Sequence, residues 1–432
     1  MLTAEHNFKL MINFIREELQ AFAGQQGAKP TFNLVIPLAH FDLMSLLKGQ
    51  SSNPVAVYPC IYWQDKAHLQ TIACFGAIDE CLHIPQPTPQ ACYFGGLAFQ
   101  QQGPQWEDFP AIRFIRPALE FKSEGQQLTL TCHFNGSNSI EDSLLLLNRL
   151  QLCPPKKSAK NHILSRQDTP NQAQWAELVE LAIEYKALIP KVVLSRQTEL
   201  ILEEKVNPWT LIEQWQAANL NSFHFVFQFS KKYAFIGCSP ERLFSRDKNT
   251  LQTEALAGTV NRGRDQREDL MLQQSLLSDK KIDRENYLVQ EFIVSNLKRL
   301  KAEVVCADPH VMQLQHVQHL CVAINAELTT QTSDADLLYK LHPTPAVGGT
   351  PKLPALQFIH DKEPYNRGWY AGTVGYLRTD KSDFSVAIRS ALLSDNSIKL
   401  FAGAGIVTGS IADQEWQELE NKIHTILDIL SM

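Results

Sequence analysis

No two cysteines in this 432-residue chain stand in a C-x-x-C spacing, and their number, nine, is odd. Cys60, Cys74, Cys81, Cys92, Cys132, Cys153, Cys238, Cys306 and Cys321 are scattered widely. Clustered thiol sites for zinc are thereby excluded, and a disulfide framework is disfavoured; reduced thiols in a cytoplasmic protein are the expectation. The chain also lacks the ~18 consecutive apolar residues of a membrane span. Its longest leucine run, Leu144 to Leu147, has four. Near the N-terminus, Glu5, Glu17 and Glu18 stand where a basic segment would be needed, so no signal peptide is expected. Basic excess is missing too: 40 Lys and Arg face 46 Asp and Glu, a formal charge of −6. Such a chain is a poor partner for nucleic acid or an anionic membrane surface. Twenty glycines and 22 prolines are too few for a collagen-like or low-complexity class. P-loop, G-x-S-x-G and H-E-x-x-H signatures are absent, and none of the 13 histidines forms a convincing metal pair.

What is present reads as a mixed fold. Phe8, Met11, Ile12, Ile15, Leu19 and Phe22 fall at helical spacing. Strands are predicted over Phe32–Ile36, Val55–Trp63, Gln70–Ile78 and Cys92–Phe99, with a hairpin joining Ile112–Phe121 to Leu128–Phe134. A helix over Ile140–Leu150 follows. The polar, Pro-punctuated stretch from Pro154 to Thr169 reads as a linker or long loop. Thr169-Pro170 and Asn207-Pro208 each look like an N-cap with proline opening a helix, the first helix running to about Leu188. Phe223, Phe225, Phe227 and Phe229 alternate with other residues, the pattern of a strand buried on one face. Further strands are expected over Tyr233–Cys238, Leu251–Leu256, Trp369–Leu377, Phe384–Leu392 and Ile398–Ala404. Helices are expected over Asp283–Leu300 and Asp413–Leu430. Strands and helices without strict alternation indicate α+β.

Several residues can carry chemistry. Lys191 stands between Pro190 and an apolar strand. Such a lysine either snorkels to solvent or, if desolvated, becomes a base. Glu241 follows another apolar strand; it is either an ion-pair partner of Arg242 or a buried general acid. Glu415, Glu418 and Lys422 share one face of the last helix, and Glu285 lies near the start of another. Two carboxylates from separate helices would suit Mg²⁺, which completes its octahedron with water and substrate oxygens. Ala402-Gly403-Ala404-Gly405 allows either tight strand packing or close backbone approach to a ligand.

Taken together, the motifs go further. In order along the chain stand Lys191-Val192-Val193-Leu194-Ser195-Arg196, Ser239-Pro240-Glu241-Arg242-Leu243, Thr253-Glu254-Ala255-Leu256-Ala257-Gly258-Thr259 and Val317-Gln318-His319-Leu320. They are followed by His342-Pro343-Thr344-Pro345-Ala346-Val347-Gly348-Gly349, Trp369-Tyr370-Ala371-Gly372, Gly403-Ala404-Gly405-Ile406-Val407 and Glu415-Trp416-Gln417-Glu418-Leu419-Glu420-Asn421-Lys422. The set resembles the chorismate-utilising enzymes, and most of all their isochorismate synthases of the menaquinone pathway. The match is strong from about residue 180 onward and weak in the first 150.

The resemblance implies a large antiparallel β-sandwich flanked by helices, with residues 1–155 completing the sandwich and 170–432 forming the catalytic region of one continuous unit. It implies that Lys191 activates water for attack at C2 of chorismate and that Glu241 protonates the departing C4 hydroxyl. Glu285 and Glu418 match the ligands of Mg²⁺. Arg389 and Tyr370 would hold a substrate carboxylate, Gly258, Thr259 and Gly403 would offer contacts near it, and His319 and Lys422 belong to the same pocket. Aminating relatives generally lack the lysine and carry Thr at the position of Ala346, so water rather than ammonia is the expected nucleophile, with no amidotransferase partner. One departure is visible: where many relatives have K-E-x-x-E-H, this chain reads Lys281-Ile282-Asp283-Arg284-Glu285-Asn286. The expected protein is a cytoplasmic monomer or weak homodimer acting on chorismate. The alternatives are a siderophore-type isochorismate or salicylate synthase and a degenerate chorismate-binding relative without turnover.

Overall fold

The computed structural model describes residues 4–23, 31–39, 41–135, 140–152, 161–313 and 317–431. Within them, twenty strands join into one sheet, every pairing is antiparallel, and ten α-helices flank it. One layer runs from Ile163–Thr169 through Lys191–Leu202, Ser397–Val407, Ser390–Ser394, Tyr233–Ser239, Phe223–Gln228 and Cys60–Gln64 to Gln70–Cys81. The other runs from Cys92–Leu97 through Thr373–Arg378, Lys381–Val386, Arg242–Asp247 and Thr250–Asn261 to Val317–Glu327. A long strand, Ile112–Glu124, belongs to both: it pairs with Gln70–Cys81 along most of its length and with Cys92–Leu97 at its start. The fold is therefore the α+β sandwich expected, with strands of the first third hydrogen-bonded directly to strands of the last.

Aromatic side chains fill the space between layers. Trp369 is fully buried and meets Phe109, Phe227, Phe229 and Phe235 at ring distances of 5.1 to 6.2 Å. Trp63 meets Tyr376 edge-on at 6.3 Å. Rings of this size bury large apolar areas and prefer such edge contacts. They explain one departure from expectation. All six residues of Phe223–Gln228 are buried, not one face only, because helix Pro208–Ala218 packs on the side away from the sandwich. A strand covered on both faces shows no useful alternation.

Other expectations shift for identifiable reasons. The stretch 153–160, with Cys153, lies outside the described residues, but the rest of the expected linker contains the strand Ile163–Thr169, paired with Lys191–Leu202. The helix expected from Thr169-Pro170 starts two residues later, at Gln172. Asn171 is its cap, with a reciprocal bond to Gln174. Asn207 caps Pro208–Ala218 as expected, accepting from the amides of Trp209 and Thr210. Trp369–Gly372 is a turn, so that strand starts at Thr373. Phe384–Leu392 is two strands, broken at Arg389, whose φ is 48°. The N-terminal helix, Ala4–Ala23, buries Ile15 and Leu19 completely, in keeping with its amphipathic spacing. Among the described residues no helix is long and apolar enough to cross a membrane.

Candidate active site

A cleft opens where strands of both layers meet helices Lys280–Arg299 and Ala412–Ser431. Glu241, Gly258, Thr259, Glu285, His319, Tyr370, Arg389, Gly403, Glu418 and Lys422 all line it. Lys191 joins them through Glu285, its Nζ lying 2.8 Å from the Glu285 carboxylate. The eleven residues singled out in the sequence are thus brought to one place from nine separate stretches of chain. Glu415 shares the helix face but is not among the lining residues.

Burial removes the snorkelling alternative for Lys191. Its side chain is 1% exposed at the start of strand Lys191–Leu202, where neighbours Thr350 and Val407 flank it. It does not reach solvent. Glu241 is likewise buried and does not pair with Arg242, whose guanidinium turns toward Asp383 at 3.7 Å. The backbone of Glu241 is fixed on both sides: its amide donates to the Ser239 hydroxyl, and its carbonyl accepts from Val386 N–H and Ser385 O–H. Burial pushes the Glu241 carboxyl up from 4.5 to about 8, helped by the nearby negative charge of Glu254; Lys191, Lys66 and the Thr344 hydroxyl pull the other way. At neutral pH the group is a protonated acid, the form a proton donor needs.

On the opposite wall the polar groups are also set. Arg389 donates through one terminal nitrogen to the Lys422 carbonyl at 3.1 Å, while its other terminal nitrogen has no protein partner. Desolvation lowers this guanidinium to about 10, against the attraction of Glu418 and Tyr370, so it stays charged at neutral pH. The left-handed backbone at Arg389 is an uncommon state for a non-glycine residue, and such states gather at functional sites. Lys422 donates to the Gly403 carbonyl at 2.7 Å and to Glu418 at 2.5 Å, tying the last helix to strand Ser397–Val407. Tyr370 stacks on Phe401 at 5.0 Å, and a Cβ placed on Gly403 would lie 2.8 Å from its hydroxyl. Glycine at 403 therefore leaves room for the Tyr370 hydroxyl at the cleft wall.

Gly258 serves a different need. It sits at a bulge in strand Thr250–Asn261 with φ of 81°, a conformation open mainly to glycine. The bulge brings the Thr259 hydroxyl to 3.0 Å from Nδ1 of His319. Burial first, then the charges of Arg389 and Lys422, lowers His319 to about 3, so it is a neutral imidazole at the cleft wall.

Glu285 and Glu418 come from the two helices and face the same cleft, each beside a lysine. No group of three or more His, Cys, Asp or Glu side chains gathers as a metal set among the described residues. A two-carboxylate donor set is what Mg²⁺ uses when substrate oxygens and water complete its shell, so these residues fit that ion and would suit zinc poorly. The departure at Asn286 has a structural account. Its buried amide donates to the carbonyls of Ala255 and Leu320, both at 3.0 Å, pinning the helix that carries Glu285 to two strands.

Sequence reasoning missed three polar neighbours of Glu241: Glu254, Lys66 and Thr344. Glu254 and Thr344 lie within quoted motifs, yet nothing local shows that their side chains point to the acid. Lys66 carries no motif at all.

A family model described as chorismate binding enzyme matches residues 78–431. The chain belongs to the chorismate-binding enzymes. It is 33% identical to the isochorismate synthase MenF of Escherichia coli, over 97% of this chain and 98% of that protein. It is 30% identical to MenF of Haemophilus influenzae, over 97% of this chain and 96% of that protein. The solved structure of MenF, the menaquinone-specific isochorismate synthase from Escherichia coli, superposes with a TM-score of 0.87 at 32% identity, covering 98% of this chain and 100% of that one. Ala346 also lines the cleft.

Proposed function

We propose that the protein is a Mg²⁺-dependent isochorismate synthase, converting chorismate to isochorismate for menaquinone formation. The observation that carries this reading is the placement of a buried lysine and a buried, protonated glutamic acid on one cleft that also holds an arginine and two carboxylates. Full-length likeness to two isochorismate synthases supports the choice of reaction.

In the proposed reaction Lys191 accepts a proton from water as the oxygen bonds to C2. The ring double bonds shift and the C4–O bond breaks. Glu241 supplies a proton to the leaving hydroxyl, which departs as water. One water enters and one leaves, so the net change is isomerisation. Neutral water is a weak nucleophile and hydroxide a poor leaving group; each positioned proton transfer typically contributes 10²–10⁴-fold. Arg389, with a terminal nitrogen open to a ligand, and Tyr370 hold a substrate carboxylate. Gly258, Thr259, His319, Gly403 and Lys422 shape the surrounding wall. Glu285 and Glu418 would hold Mg²⁺, which would neutralise substrate carboxylate charge and fix its orientation. Water as nucleophile requires no ammonia-supplying partner, and we place the enzyme in the cytoplasm.

The test is product analysis. Purified protein with chorismate and Mg²⁺ should yield isochorismate without pyruvate. Stoichiometric pyruvate with fluorescent salicylate would instead mark a salicylate synthase, and chorismate binding without turnover would mark a non-catalytic relative.

A further inference from the structure

The strand Cys60–Gln64 and the strand Gln70–Cys81 are joined by a turn that is closely held. Asp65 N–H donates to the Gln70 carbonyl at 3.2 Å, its carboxylate accepts from Gln70 N–H at 2.7 Å, and His68 takes a left-handed φ of 56°. The turn projects Lys66 across the sandwich. Its Nζ lies 2.7 Å from Oε1 of Glu254, with both side chains mostly buried. The same carboxylate oxygen accepts from the backbone N–H of Arg242 at 2.9 Å. Glu254 is thus fastened to the peptide that leaves Glu241, and its counter-charge is supplied by the N-terminal third of the chain.

We propose that Lys66 and Glu254 form a positioning pair through which the N-terminal third sets the electrostatic environment of the acid Glu241. Neither residue is among those that line the cleft. Their geometry assigns them a different task. An unpaired carboxylate beside a buried acid strongly favours the acid's neutral form; a lysine on that carboxylate moderates the effect. The groups that face Glu241 are Glu254, Lys191, Lys66, the Thr344 hydroxyl and the Cys321 thiol. Of these, Lys191 belongs to the proposed proton transfers, and the thiol is held neutral by burial. The Lys66–Glu254 pair is the remaining charged control.

This inference rests on Glu241 as the proton donor of the proposed function, so the experiment includes a readout independent of turnover. Glu254→Gln keeps an oxygen for Arg242 N–H and removes the negative charge. Lys66→Met keeps the aliphatic stem and leaves Glu254 uncompensated. The alkaline limb of the kcat/KM profile should move down in pH by about one unit in Glu254→Gln and up by a similar amount in Lys66→Met, with Lys66→Arg restoring the wild-type limb. In parallel, unfolding free energies of each variant, with and without Glu241→Gln, are measured across pH. The pH at which the difference between each pair of curves levels off reports the ionisation of Glu241 in the folded state, even in a protein with no turnover, and it should move in the same two directions. A difference that levels off at the wild-type pH in both variants, or whose plateau moves the same way in both, would overturn the proposal. A plateau that moves as expected in a protein that makes no isochorismate would uphold the pair and sink only the proposed reaction.

Discussion

Replacing Glu241 by glutamine should separate stability from activity. The carboxyl is buried and raised from 4.5 to about 8, chiefly by desolvation and then by Glu254. In the unfolded chain it ionises near 4.5, so from there up to about pH 8 the folded protein binds more protons at this site than the unfolded one. Stability contributed by the group is complete below pH 4.5 and is lost as pH rises through about 8. At ~1.4 kcal/mol per pH unit, the loss is about 3 kcal/mol at neutral pH and about 5 kcal/mol above the folded value. Glutamine cannot ionise, nearly matches the shape and escapes that loss. The Glu241→Gln variant should therefore equal wild type in urea unfolding near pH 4.5, and exceed it by a margin that grows to a plateau above about pH 8. Its turnover should fall by a factor of 10²–10⁴ or more at every pH. A stability difference that does not change with pH would refute the reasoning, because a carboxyl with an ordinary ionisation would then occupy the site.

Lys191→Ala should abolish turnover while circular dichroism stays unchanged; wild-type rates would remove the lysine from the reaction. Arg389→Ala deletes a charged hydrogen-bond donor worth roughly 1.5–3 kcal/mol, so KM for chorismate should rise about 10- to 150-fold, read by initial-rate kinetics. Chelation by EDTA should stop turnover and added Mg²⁺ should restore it, since Glu285 and Glu418 cannot by themselves organise a dianion; full activity in excess EDTA would exclude the metal.

The sequence made the outline of this fold readable where one physical rule dominated. Asn207-Pro208 marks a helix start because the cap chemistry is local, and the amphipathic N-terminal helix follows from burial of one stripe. Rules failed where tertiary context decided. Phe223–Gln228 is covered on both faces, so its alternation misstates its burial. The stretch ending at Thr169 is polar yet pairs as an edge strand, because an edge strand can face water. Residues 384–392 look like one apolar strand, but the chain breaks at Arg389 to aim a guanidinium at the cleft. The members of the site could be named from their motifs, but their meeting could not. Lys66 and Glu254 are 188 residues apart, and no local pattern announces a pair of that separation.

The central claim is that water adds at C2 while the C4 hydroxyl leaves. The most direct measurement is mass spectrometry of isochorismate formed in heavy-oxygen water, with fragmentation to locate the label. The account predicts one heavy oxygen, on C2, and none of the original C4 hydroxyl in the product. Isochorismate that carries only its original oxygen would show that the hydroxyl migrates within the substrate, and would contradict the pairing of Lys191 as base with Glu241 as acid.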